Sequence, residues 1–136
     1  MTNEPPSSLY VVDTHALYWY WTDATRLGAV ADAAFKALEA GLAVGIVPLL
    51  VIAELHFLLV QLGKNISVDE LLRTLDRAPS LRLEALTRRH LVAFGRLGDI
   101  PEMHDRLIGA TALVYGAPVI SRDRAFRDHP LIRRVW

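Results

Sequence analysis

The sequence predicts an α/β fold, a mainly parallel sheet built from strand–helix–strand units. Three observations predict it. Residues 9–12, 42–47 and 118–121 are short apolar runs without polar alternation, the pattern of strands buried on both faces. Between them lie segments with apolar residues at helical spacing. Gly41, Gly63, Gly98 and Gly116 stand where those helices would stop, glycine being the residue type that most easily takes the left-handed conformation of a helix end.

In chain order, the first strand over 9–12 stops on Asp13, and a short helix begins at Thr14 and runs to Trp21. Its Leu17, Trp19, Tyr20 and Trp21 cannot all face one way. Some of these rings are therefore expected to meet another subunit or a partner, with packing under the next helix as the alternative. Leu27, Val30, Ala34, Ala37 and Leu38 predict a helix over 25–40, ended by Gly41. After the strand at 42–47, Pro48 suits the first position of a helix, where a missing N–H costs nothing. That helix runs to about Leu62 and is apolar at nearly every position from Leu49 to Val60, which predicts burial on most sides. Ser67 and Glu70 form a capping box for a helix to about Arg77, stopped by Pro79. Leu81, Leu83, Ala85 and Leu86 predict a short strand with one polar face, and Thr87 caps a helix to Leu97, closed by Gly98. Asp105 falls in the first turn of a small-residue helix that ends at Gly116. A final short strand includes Val135 and Trp136.

The 136 residues fit one domain, expected over 9–136 and preceded by a flexible tail over 1–8. That tail has neither the basic region nor the apolar stretch of a signal or transit sequence. An apolar fraction of 52% exceeds the usual globular mean and predicts a wide core with apolar surface hidden in an oligomer or partner interface. There is no cysteine, which excludes disulfides and thiolate metal sites and leaves carboxylates or histidines as metal ligands. Residues 42–62 are apolar enough to raise the question of a membrane helix, but Pro48, Glu54, His56 and Gln61 argue against it. A cytoplasmic protein is expected. The formal charge is zero but unevenly spread: up to Val68 the only cations are Arg26, Lys36 and Lys64, whereas Arg88, Arg89, Arg122, Arg124, Arg127, Arg133 and Arg134 come later. Such a set can track a phosphate backbone or simply cover solvated helix faces.

Four acids stand out by position. Asp13 and Asp123 end strands, Asp105 opens a helix, and Glu54 sits inside an apolar helix where an ionised carboxylate is costly unless paired or bound to a cation. Three have an ordinary alternative in view: Asp13 or Thr14 as a helix cap, Asp105 as a helix-dipole partner, Glu54 in a buried ion pair with an arginine. In a βαβ arrangement all four can meet in one crevice at the carboxyl ends of the strands. Their mutual repulsion would then call for Mg²⁺ or Mn²⁺, hard cations that prefer oxygen. A pair of such ions about 3.5 to 4 Å apart is the usual clamp for in-line phosphoryl displacement. Thr14 and Ser121 are placed to orient the carboxylates.

Asp13-Thr14-His15 after a strand, Glu54 in an apolar helix, Asp105-Arg106-Leu107-Ile108 with Ala110-Thr111-Ala112 downstream, and Ser121-Arg122-Asp123 together resemble the PIN domain family. More narrowly, they resemble the VapC-type ribonuclease toxins of toxin–antitoxin pairs. The likeness runs from Leu9 to Trp136, and Ser121 replaces the threonine common in the family while keeping its hydroxyl. The resemblance implies a three-layer α/β/α sandwich around a central sheet of four to five strands, Mg²⁺ or Mn²⁺ dependence, and endonucleolytic cleavage of RNA. It carries over Asp13, Glu54, Asp105 and Asp123 as the acidic tetrad. It also implies a homodimer and a cognate antitoxin covering the site.

Arg106, Arg122 and Arg124 are the expected phosphate contacts, because guanidinium groups recognise phosphate oxygens bidentately. His15 and His104, next to the acids, are expected to orient or pack rather than bind metal. Other readings are an idle RNA- or protein-binding module of the same fold, a nuclease acting on DNA, and a receiver-like phosphoacceptor. The last would want a lysine after a late strand, and the only lysines are Lys36 and Lys64.

Overall fold

A computed structural model describes residues 7–136. Five strands, β1 (Leu9–Val12), β2 (Val44–Pro48), β3 (Leu81–Glu84), β4 (Val119–Ile120) and β5 (Arg134–Val135), form one sheet in the order β3-β2-β1-β4-β5. Every pairing is parallel. Among the described residues six α-helices surround it: α1 (Thr14–Thr22), α2 (Ala29–Glu39), α3 (Leu49–Gln61), α4 (Val68–Asp76), α5 (Arg88–Phe94) and α6 (Met103–Tyr115). Consecutive residues of a strand point to opposite faces, and Tyr10, Val11, Val12, Ile46, Val47, Val119 and Ile120 are all buried. Both faces of the sheet are therefore covered, which makes the architecture a three-layer sandwich.

Several local expectations shift. Pro48 closes β2, pairing with Glu84, and α3 starts one residue later at Leu49. Its ψ of 144° keeps it extended, so proline stands at the helix cap and not in the first turn. The helix expected over 25–40 is broken into a 3-10 turn at Ala24–Arg26 and α2, with Gly28 at the junction. A Cβ at Gly28 would lie 2.5 Å from the Trp136 carbonyl carbon, and the Trp136 main-chain oxygen accepts the N–H groups of Val30 (2.9 Å) and Ala31 (3.1 Å). Trp136 thus plugs the first turn of α2. The helix after Thr87 stops at Phe94 and not at Leu97, and the last strand is Arg134–Val135, leaving Trp136 for this contact. β3 ends at Glu84 and is an edge strand with Leu83 exposed, so Ala85 and Leu86 lie outside it.

The aromatic segment of α1 packs within the chain. Tyr20 stacks on Phe35 of α2 at 4.1 Å, and Trp19 is buried, 5.7 Å from Trp136. Unsatisfied apolar surface lies elsewhere, on α3: Val51, Ile52, Leu55 and Leu59 face the core, but Phe57 is 70% exposed and Leu49 and Val60 are also exposed. A helix apolar all round is here buried on one side only. No helix among the described residues is long and apolar enough to cross a membrane, residues 42–62 being divided between β2 and α3. Of the expected tail, residues 1–6 lie outside the described residues, while Ser8 is tied by its carbonyl to the N–H of Val44 (2.9 Å) and the Ser7 hydroxyl accepts from Arg133 (3.1 Å).

Candidate active site

The chain builds the sheet outward from β1 through β2 to β3, then returns to the other side of β1 for β4 and β5. Loops leaving β1 and β4 therefore diverge at their carboxyl ends and open a crevice, the usual ligand position of open parallel sheets. Asp13 follows β1 and Ser121 to Asp123 follow β4.

A cleft of about 730 Å³ occupies this crevice, and Asp13, Glu54, Asp105 and Asp123 all line it. Three of the carboxylates stand at helix starts. Asp13 caps α1, its Oδ1 accepting the Thr14 N–H at 2.7 Å, so the capping reading and the site reading hold together. Its Oδ2 accepts the Ser121 hydroxyl at 2.5 Å. Asp123 accepts the Ala125 N–H at 2.8 Å, and its own N–H donates to Ser121 Oγ at 2.9 Å. Asp105 sits in the first turn of α6, where Glu102 is the cap and accepts the Asp105 N–H at 2.8 Å. Glu54 projects from the second turn of α3, is half-buried, and accepts the Thr14 hydroxyl at 3.2 Å. Its other oxygen lies 3.4 Å from His104 Nδ1, so its partners are a hydroxyl and an imidazole, in place of the arginine considered above.

Electrostatics record the crowding. Burial pushes the Asp105 carboxyl up to about 7, with further upward pressure from Asp123, Asp13, Glu102 and Glu54. A helix start would by itself favour the charged form, so burial and like charge outweigh the dipole at this position. Asp13 is raised by burial, against the opposing hydrogen bonds from Ser121 and Thr14. Glu54 is raised by burial, against His104 and Thr14. At Glu102 burial acts upward too, but the N–H groups of Asp105 and His104 outweigh it and hold the carboxyl low.

The donor set is oxygen throughout and its charges repel, which fits one or two hard divalent cations. Among the described residues the side chains are not closed into a three-ligand cluster; they line an open cleft that a cation would draw together. The arginines divide. Arg122 and Arg124 line a second hollow beside Asp13 and Asp123. Arg106 does not line either space: its Nε donates to the Ile100 carbonyl at 2.7 Å and its guanidinium lies 4.9 Å from the Phe94 ring, fastening the loop before α6. His15 and His104 both line the cleft. Two residues take roles here that sequence alone does not assign them. Glu102 is visible afterwards as an acid three residues ahead of Asp105, the spacing of a cap and its N–H. Trp19, which carries Arg122 at 5.1 Å from its ring, has no sequence signal for that task.

The PIN domain family model matches residues 10–130, nearly the whole chain. The chain is a PIN domain. No curated protein matches the sequence of this PIN domain. Among the solved structures of similar fold are three at low identity. VapBC2 from Rickettsia felis bound to a promoter DNA fragment matches at 15% identity and TM-score 0.68, covering 93% of this chain and 96% of that one. A toxin–antitoxin complex from Klebsiella pneumoniae matches at 19% identity and TM-score 0.62, over 93% and 95% of the two chains. DNA-bound VapBC from Salmonella typhimurium matches at 14% identity and TM-score 0.65, over 94% and 97%. At such identities the likeness concerns the fold, and this PIN domain shares its sandwich with those chains.

Proposed function

We propose that this PIN domain, over residues 9–136, is an endoribonuclease that hydrolyses phosphodiesters of single-stranded RNA with Mg²⁺ or Mn²⁺, and that it acts as the VapC-type toxin of a toxin–antitoxin pair. The observation that carries this reading is the presence of Asp13, Glu54, Asp105 and Asp123 in one cleft, with Asp105 pushed up to about 7. Those four acids would hold the cation. When bound, it supplies Lewis acidity for the leaving oxygen and activation of the attacking water.

The protein's own groups do the rest. Ser121 and the Thr14 N–H hold Asp13 by both carboxylate oxygens, and the Thr14 hydroxyl holds Glu54, so the ligands are oriented before substrate arrives. Arg122 and Arg124, exposed beside Asp13 and Asp123, offer guanidinium groups to substrate phosphate. His104 stands between Glu54 and Glu102, its Nδ1 3.4 Å from a carboxylate oxygen of each. On the α3 side the cleft wall is apolar, with Leu50, Ala53, Phe57 and Leu58. That wall suits an apolar segment of a cognate antitoxin, in keeping with the toxin–antitoxin complexes of similar fold. Exposed Leu91 and Val92 on α5 offer further apolar area for a homodimer.

The test is cleavage of a mixed RNA pool by purified protein with Mn²⁺ or Mg²⁺, against EDTA and against Glu54→Gln. Cleavage that needs both the metal and Glu54 is expected. Cleavage confined to DNA would change the substrate, and RNA binding without cleavage by folded, inhibitor-free protein would leave a binding module.

A further inference from the structure

The two spaces that meet at Asp13, His15 and Asp123 differ in chemistry. The larger cleft runs toward α3, and its described lining carries Glu54, Glu102 and apolar side chains but no lysine or arginine. The smaller hollow, about 430 Å³, runs the other way and is lined by Trp19, Ser121, Arg122 and Arg124 besides the three shared residues. A polyanionic strand crossing the acids is repelled on the first side and met by two guanidinium groups on the second.

The hollow is also rigidly furnished. Trp19 is buried and packs against Trp136, with the Arg122 guanidinium 5.1 Å from its ring centre and that of Arg26 at 6.0 Å. The Arg122 carbonyl accepts from Arg134 at 3.0 Å, which pins the loop from below. A stacked guanidinium loses less freedom on gripping phosphate than a loose one. His15 leans on the same tryptophan at 5.5 Å and 51°, yet is itself exposed, one residue from Thr14 and two from Asp13. An exposed aromatic ring beside guanidinium groups, one of them held on Trp19, is the combination with which proteins hold single-stranded nucleic acid, base on ring and phosphate on guanidinium.

From this arrangement we propose that the hollow is a subsite for one nucleotide flanking the scissile phosphodiester, its base stacked on the His15 imidazole and its phosphate held by Arg122 and Arg124. Trp19 is the positioning residue beneath His15 and Arg122. The subsite rests on the endoribonuclease reading and gives it a direction: the strand leaves the acids over α1 and the 121–124 loop, not along α3. Base stacking with no edge contact makes the subsite tolerant of base identity but intolerant of a missing base.

The experiment uses a short single-stranded RNA that the protein cleaves at one site, and a series of the same RNA with a single abasic residue at each position around the cut. With wild-type protein, one abasic position next to the cut is expected to raise KM between about fivefold and a hundredfold with kcat little changed. His15→Ala is expected to raise KM on the intact RNA by a similar factor and to be indifferent to the abasic residue at that position, while His15→Phe restores the sensitivity. Arg122→Gln is expected to raise KM on every RNA in the series and to flatten its dependence on salt. The subsite is overturned if His15→Ala loses equally on intact and abasic RNA, or if no single position is sensitive. In that event metal-dependent cleavage by the wild type still stands, so the nuclease reading survives. Absence of cleavage of any RNA by folded wild-type protein with Mn²⁺ would remove both.

Discussion

Ser121 and Asp13, at the ends of neighbouring strands and 108 residues apart in sequence, share a hydrogen bond of 2.5 Å from Oγ to Oδ2. Through the same oxygen Ser121 also accepts the Asp123 N–H, so one hydroxyl sets two of the four acids. Ser121→Ala leaves the Asp13 oxygen buried without this donor and is expected to cost about 1–3 kcal/mol of stability, measured by denaturant unfolding. Cleavage is expected to fall about ten- to hundredfold, the usual cost of losing a group that orients a metal ligand. Because the lost hydrogen bond had been holding the Asp13 carboxyl down, the deficit should narrow as pH rises.

Asp105 makes the metal-free protein less stable as pH rises. Its carboxyl titrates at about 7 in the folded chain, against the ordinary aspartate value of 3.8 for the unfolded one, so between these values the folded chain binds the extra proton and unfolding releases it. Stability therefore declines with rising pH across that window, and the penalty is complete above about pH 7. Asp105→Asn in EDTA should raise Tm at about pH 8 by a few degrees and leave it unchanged at about pH 4. A pH-independent gain would mean that charge is not the cause.

A cation that relieves the same repulsion stabilises the folded state. With free Mn²⁺ about a hundredfold above its Kd, the gain expected from mass action is about 2.7 kcal/mol. Thermal melts with and without Mn²⁺ should show an upward shift for the wild type and little for Asp13→Asn. The same variant should be as stable as the wild type, or more so, in EDTA. Unfolding of Asp13→Asn would instead assign that acid to the fold.

Gly28 is where Trp136 meets the start of α2. Gly28→Ala places a methyl 2.5 Å from the Trp136 carbonyl carbon, and main-chain atoms there cannot swing away as a side chain would. A loss of about 1–3 kcal/mol is expected, read from the urea midpoint. Since Trp136 supports Trp19, the intrinsic tryptophan emission should change as well.

Much of the molecule is written in local pattern. Apolar runs ending in Asp13 and in Ser121-Arg122-Asp123 mark β1 and β4, Ser67 with Glu70 marks the start of α4, and Gly116 marks the end of α6, because each depends on neighbours a few residues away. The four acids were legible for the same reason, each placed at a strand end or on a helix. What only the tertiary structure decided is which of these meet and which faces are left open. Strand order sets β4 beside β1 and so brings Ser121 to Asp13. It leaves one side of the apolar α3 to solvent, ties Arg106 to the Ile100 carbonyl, and turns Trp19 into a support for Arg122. Such outcomes depend on contacts between residues far apart in sequence, and helical or strand periodicity carries no information about the partner a face will find.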